Sequence, residues 1–238
     1  MHVLVTADTV GGVWTYTREL VTGLTQRGIR VTLVSFGEIP AAKQTEWLNA
    51  LGTVDFYPTA FRLEWMHEAE QDIEASSDFL MSIIDETKPD LLHLNQFCYG
   101  TLAVSIPKIV VAHSDVVSWW AAVKNEEPDD IAWMRWYRET ISRGLDGANA
   151  VVAPTNWMLR QVETWYGALA PAGTPAAIVG RLNTEISRTV KRPDMQERMA
   201  GEGLDPAGGP PEQFRDVLKR DIPKWVKVVK AANIQTIQ

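Results

Sequence analysis

The side chains able to do chemistry fall at the ends of short apolar runs. His2-Val3-Leu4-Val5-Thr6 leads into Asp8-Thr9-Val10-Gly11-Gly12, Asp90–Leu94 into Asn95-Gln96, and Val110-Val111-Ala112 into His113-Ser114-Asp115. A histidine that follows a buried strand could hydrogen-bond a polar ligand or exchange a proton near neutral pH. The competing reading of His113 is a ring satisfied by backbone carbonyls. His113, Ser114 and Asp115 are not a nucleophilic triad, because adjacent side chains cannot hand a proton along a line. Ser114 and Asp115 are ligand-binding candidates at the same strand end, although capping a following helix is the commoner role for both. Gly11 and Gly12 place no Cβ in a ligand's way and stand before a helical pattern, where free backbone N–H groups could meet a phosphate. Such a pair also serves a plain tight turn, and it is not a G-x-G-x-x-G fingerprint. Asn95 and Gln96 could bind a hydroxyl-rich ligand.

Other groups exclude themselves. Glu126, Glu127, Asp129 and Asp130 read as a solvated acidic loop beside Pro128,. His2, His67, His93 and Cys98 lack metal-ligand spacing, so no metal is expected,. There is no G-x-S-x-G elbow and no Walker loop. Trp119, Trp120, Trp133, Trp136 and Trp157 could stack on sugars, although core packing is the commoner use of such residues,.

The elements that must position these residues alternate. Strands are expected at His2–Thr6, Arg30–Phe36, Val54–Tyr57, Asp90–Leu94, Lys108–Ala112 and Ala150–Ala153,. Val13, Tyr16, Leu20 and Leu24 share one helical face, closed by Gly28. Further helices are expected over Glu68–Thr87, Ile131–Leu145 and Asn156–Tyr166, the last capped by Thr155. The result is an α/β fold: one Rossmann-like, doubly wound, mostly parallel sheet with ligands beyond the carboxyl ends of its strands. After Gly167 the pattern turns all-helical, with stripes at Ile178–Val190 and Phe214–Val229, a short helix over Pro193–Ala200, and Pro223 kinking the last,.

Composition divides at the same place. The 238 residues are 45% hydrophobic and 22% charged, a globular balance that excludes a disordered or disulfide-built chain,. Residues 1–165 hold 12 Lys and Arg against 22 Asp and Glu, and nine of the ten tryptophans; residues 166–238 hold 11 against 8. The net charge of -7 argues against nucleic acid as a partner,. Charges interrupt the longest apolar stretch, Ile106–Val123, so no transmembrane segment is expected,. With a single cysteine and no leader pattern the chain reads as cytoplasmic.

Read together, Val3-Leu4-Val5 with Asp8–Val13, then Leu91–Asn95, Val110–Asp115 and Val151–Met158 resemble, in order, the first domain of family 4 glycosyltransferases of the GT-B fold. The resemblance covers about residues 1–160. It implies metal-independent transfer of a sugar from a nucleotide-sugar donor with retained configuration, the sugar acceptor lying mainly on this domain. No cofactor is implied beyond that donor substrate. Gly11 and Gly12 would approach donor phosphates or acceptor, His113 would hydrogen-bond the transferred sugar, and Thr155 would start a cleft-facing helix. A second α/β domain, on the order of another 150 residues, and its paired glutamates have no counterpart after Gly167. The tail instead resembles the C-terminal segment of tripartite tricarboxylate transporter substrate-binding (Bug-type) proteins, from Glu163–Gly167 through Ala170–Val179, Arg181-Leu182-Asn183 and Gly208-Gly209 to Trp225–Ile234.

These resemblances imply two parts, a glycosyltransferase-type domain over 1–166 and a helical tail over 167–238 packing on it, joined as a chimera. Transfer by the chain alone would be weak or absent. A non-catalytic Rossmann-like binding or interaction domain is the alternative, and a hydrolase in the same crevice has no motif behind it. An uncovered apolar face would favour a homodimer.

Overall fold

The computed structural model describes residues 1–167, 188, 191–193 and 195–196. By internal contacts the chain divides into Met1–Pro171 and Ala172–Gln238, and the sheet belongs to the first unit. The helices expected at Ile178–Val190, Pro193–Ala200 and Phe214–Val229 lie outside the described residues, except that Arg188, Pro193, Met195 and Gln196 are helical.

Six strands form one sheet: β1 (His2–Asp8), β2 (Arg30–Phe36), β3 (Val54–Pro58), β4 (Leu91–Leu94), β5 (Lys108–Val111) and β6 (Ala150–Val152), all parallel, in the order β3-β2-β1-β4-β5-β6. Register is set by burial on both faces. Val3, Val5 and Ala7 of β1 join Val31 and Leu33 of β2 in one core cluster. Leu4 of β1 joins Val34 and Phe36 of β2, Leu92 and Leu94 of β4 and Val110 of β5 in the other. The period-two alternation therefore feeds two apolar layers, as a parallel sheet requires. A one-residue slip would exchange the faces of every strand side chain.

The helices cover those layers. Helix α1 (Gly12–Thr25) sets Trp14 and Val21 into the first cluster. Leu80, Ile83 and Ile84 of α3 (Glu70–Thr87), Met134, Tyr137, Ile141 and Leu145 of α5 (Ala132–Asp146), and Met158 and Val162 of α6 (Asn156–Tyr166) fill the second. Gly28, at φ 73°, closes α1: its N–H reaches Thr25 O at 2.9 Å and the Ile29 N–H reaches Leu24 O at 3.1 Å,. Helix α3 starts two residues later than expected, because Glu68 takes a left-handed φ of 56°. A short helix α2 (Ala42–Thr45) and a 3-10 turn (Glu46–Ala50) are additions to the elements expected from sequence, and α4 (Val116–Lys124) is expected there only as something to cap. Gly144 lets α5 lie against the 3-10 turn Cys98–Thr101, since a Cβ there would overlap the Phe97 carbonyl.

The order in which the chain adds strands reverses between β1 and β4. A doubly wound sheet opens its crevice there, and the residues beyond β1, β4 and β5 meet at its edge.

Candidate functional site

Asn95 follows β4 and is held on β1. Its backbone N–H donates to Thr6 Oγ1 at 2.9 Å, and its Nδ2 donates to Thr6 O at 2.6 Å. The amide orientation so fixed leaves Oδ1 to accept from His113 Nε2 at 2.9 Å,. Burial lowers the His113 pKa to about 4, so the ring is neutral at pH 7,. Its proton sits on Nε2, and Nδ1 presents a lone pair. The Tyr16 ring of α1 meets His113 edge-on, with centroids 4.7 Å apart. The Tyr16 hydroxyl lies 3.2 Å from His93 Nε2, and burial takes His93 to about 4 as well. These four residues knit the ends of β4 and β5 to the first turns of α1.

That helix begins on glycine for a backbone reason. Gly11 has φ 68° and ψ -143°, which a side chain would not tolerate,. Neither Gly11 nor Gly12 would bring a Cβ within 4 Å of another group. No side chain caps the helix and no acidic residue lies in its first turn, so its leading N–H groups keep their capacity for an anion,.

Beside it opens a cleft of about 620 Å³, lined by Asp8, Val10, Gly12 and Val13 on one wall and by Ser114, Asp115 and Val116 on another. Trp65, Trp119, Trp120 and Trp133 give it aromatic walls. Asp8 accepts from the Val10 N–H at 2.6 Å, and burial raises its pKa. Glu64 is fully buried, and desolvation lifts its pKa to about 7. Its Oε1 accepts from the Phe97 N–H at 2.9 Å, and the Cys98 thiol lies 3.5 Å from Oε2.

Asp115 is spent on structure. Oδ1 accepts from the Ser118 N–H at 3.0 Å and from the Tyr166 hydroxyl at 2.7 Å, while Oδ2 takes the Ser118 hydroxyl. It caps α4 and ties that helix to the end of α6. Thr155 caps α6 through Met158 N at 3.1 Å and does not line the cleft.

Residues 10–173 match the model of the family described as Glycosyltransferase Family 4. The chain belongs to that family. Residues 151–234 also match the family described as the Tripartite tricarboxylate transporter family receptor. The structure of LpCGTa in complex with UDP superimposes with a TM-score of 0.50 at 13% identity, over 73% of this chain and 51% of that one. This likeness is one of fold. Among curated proteins, a UPF0065 protein of a Pseudomonas species is 41% identical over 69 residues, 29% of this chain and 20% of that protein. Protein BugT of Bordetella pertussis is 30% identical over 66 residues, covering 28% and 20%. The chain thus spans one fifth of each of these two relatives and about half of the LpCGTa structure.

In this family 4 domain the expected residues separate into groups. Gly12, Ser114 and Asp115 line the cleft, with Gly11 immediately before it. Asn95 and His113 bind each other, and Thr155 starts α6. Gln96 is buried with its Oε1 unpartnered. Trp119, Trp120 and Trp133 line the cleft rather than serving only as core, while Trp157 is exposed. Glu127 and Asp130 pair with Arg138 and Arg135 at the surface. Sequence reasoning misses Asp8, Glu64, Trp65, Tyr16 and His93 as site residues. Asp8 carries a visible signal, an acid at the end of a buried strand just before Gly11-Gly12; Glu64 carries none. Among the described residues no helix is long and apolar enough to cross a membrane.

Proposed function

We propose that this chain supplies the acceptor-side half of a retaining, nucleotide-sugar-dependent glycosyltransferase. Transfer is weak or absent until a donor-side half meets it. The hydrogen bond from His113 Nε2 to Asn95 Oδ1 at 2.9 Å carries the reading. It fixes a neutral ring whose Nδ1 can accept from a hydroxyl of the transferred sugar. His113 acts by hydrogen bonding, since a group with a pKa of about 4 is a poor general base at neutral pH,. The uncapped start of α1 at Gly11 and Gly12 suits donor phosphates, and the neighbouring cleft, with Ser114 on its wall, suits the acceptor,. Asn95 and Asp115 position, and Thr155 sets the direction of α6. We read the two family matches as a join at about residues 160–167, and a cytoplasmic setting fits the buried free thiol of Cys98.

Calorimetric titration with UDP and UDP-sugars, followed by a donor-hydrolysis assay, tests this. Binding of a UDP-sugar that weakens about tenfold in His113→Ala, with folding intact, supports it. An absence of heat with every UDP ligand overturns it.

A second reading, a non-catalytic interaction domain, is favoured by one observation. Val10, Trp119, Val123 and Ile131 leave 44–52% of their surface exposed,. A homodimer burying them would appear in sedimentation velocity as a species of twice the mass; a monomer at every concentration would remove this reading.

A further inference from the structure

The cleft beside α1 is unusual in what it lacks. Among the described residues that line it none is a lysine or arginine, while three are carboxylates, Asp8, Glu64 and Asp115. His67, tilted by 37° against Trp133 with ring centroids 4.5 Å apart, is the one basic side chain among the described lining residues. The start of α1 at Gly11 and Gly12 is the place proposed above for the donor phosphates, and the rest of the described lining carries the carboxylates. An acceptor bearing phosphate or carboxylate would therefore bring like charges together as it is desolvated, and nothing on the walls would compensate.

The walls offer something else. Trp119 is 51% exposed and Trp65 40%, both at the cleft. The Trp120 indole N–H lacks a hydrogen-bond partner. A carboxylate can accept about four hydrogen bonds. Asp8 uses one of them on the Val10 amide. Flat apolar faces beside unspent acceptors match a ring that is apolar on its face and hydroxylated at its rim.

Resting on the glycosyltransferase reading above, we infer that this cleft takes an uncharged pyranose ring as acceptor, one face against the indoles and a rim hydroxyl on the Asp8 carboxylate, and that it discriminates against phosphorylated sugars. Asp8 orients the hydroxyl that is to be glycosylated, or its neighbour. Trp65 walls the same cleft that Asp8 lines.

Saturation-transfer NMR on the full chain, without nucleotide, tests the inference directly. The probes are methyl α-D-glucopyranoside, maltose, glucose 6-phosphate and phenol. Expected is transfer to the ring C–H protons of the two neutral sugars at about 10 mM, and none to glucose 6-phosphate. Trp119→Ala, at an exposed position, weakens the effect about tenfold, and Asp8→Asn weakens it while leaving the near-UV spectrum of the fold in place. Stronger transfer to glucose 6-phosphate, transfer to phenol alone, or no transfer to either neutral sugar overturns the inference. Neutral sugars binding with no UDP-sugar binding would sink the donor reading and leave the cleft's ligand standing; the reverse pattern would do the opposite.

Discussion

Around His113 the side chains mostly bind one another, leaving His113 Nδ1, His93 Nδ1 and Gln96 Oε1 open, whereas one strand-end away, around Asp8, a carboxylate with spare accepting capacity lies at a cleft. Thr6, Asn95 and His113 form a closed chain of hydrogen bonds with Tyr16 packed against it. Asp8 and Glu64 sit among tryptophans, both with raised pKa values, at a cleft rimmed by exposed apolar surface. The first arrangement fixes one ring in one tautomer, and the second waits for something to cover it. The two arrangements use different side chains, so they can be damaged separately.

The largest effect should come from the closed side. Asn95→Leu removes the partner of the Thr6 carbonyl and of His113 Nε2 and leaves both buried polar groups unmet. We expect a loss of about 3 kcal/mol, read as a lower urea midpoint at unchanged slope. A loss below about 0.5 kcal/mol would mean the network is not the anchor it looks like.

The next test separates the sides by pH. Glu64 has its folded pKa raised to about 7, so between its ordinary value near 4.5 and 7 the native state holds more protons than the unfolded chain,. Its contribution is fully present below that window and is lost as pH rises through it. His93 and His113 are lowered to about 4, so the unfolded chain holds more protons between 4 and 6.5, and their contribution grows as pH rises,. The slopes oppose. Glu64→Gln should therefore be more stable than wild type at pH 8, by about 2 kcal/mol, and should rise in stability from pH 4 to 6.5 before levelling. A Glu64→Gln curve parallel to wild type would contradict the assignment.

The smallest effect on folding should be Trp119→Ala. At 51% exposure the indole contributes little to the core, and the expected change is within about 0.5 kcal/mol by thermal melting,. Its cost should appear in ligand binding alone. A large loss of stability would place Trp119 with the packing tryptophans.

The sequence carried the frame of this contrast better than its content. Arg30–Phe36 is read as a strand because seven residues of β-branched and apolar character sit between turns, and β2 occupies that span. Thr155 and Gly28 announce helix ends through their own local chemistry, and both perform it. Ala42–Ala50 escaped because a four-residue helix and a 3-10 turn are too short to show a period. Glu64 escaped for a deeper reason: its partners are the Phe97 amide and the Cys98 thiol, more than thirty residues away, and burial alone shifts its pKa. The tryptophans of α4 look alike in sequence, yet the fold turns both Trp119 and Trp120 toward the cleft. Composition cannot distinguish a packed indole from a waiting one; only the path of the neighbouring chain does.

The central claim is that His113 offers Nδ1 to the sugar of a nucleotide-sugar donor while Asn95 holds its other nitrogen. The most direct measurement is the ¹⁵N spectrum of histidine-labelled full chain during titration with a UDP-sugar. The account predicts a saturable shift of His113 Nδ1, an Nε2 that stays protonated throughout, and loss of the Nδ1 response in Asn95→Ala. A His113 ring that ignores every UDP-sugar, while the rest of the spectrum shows an intact fold, would contradict it.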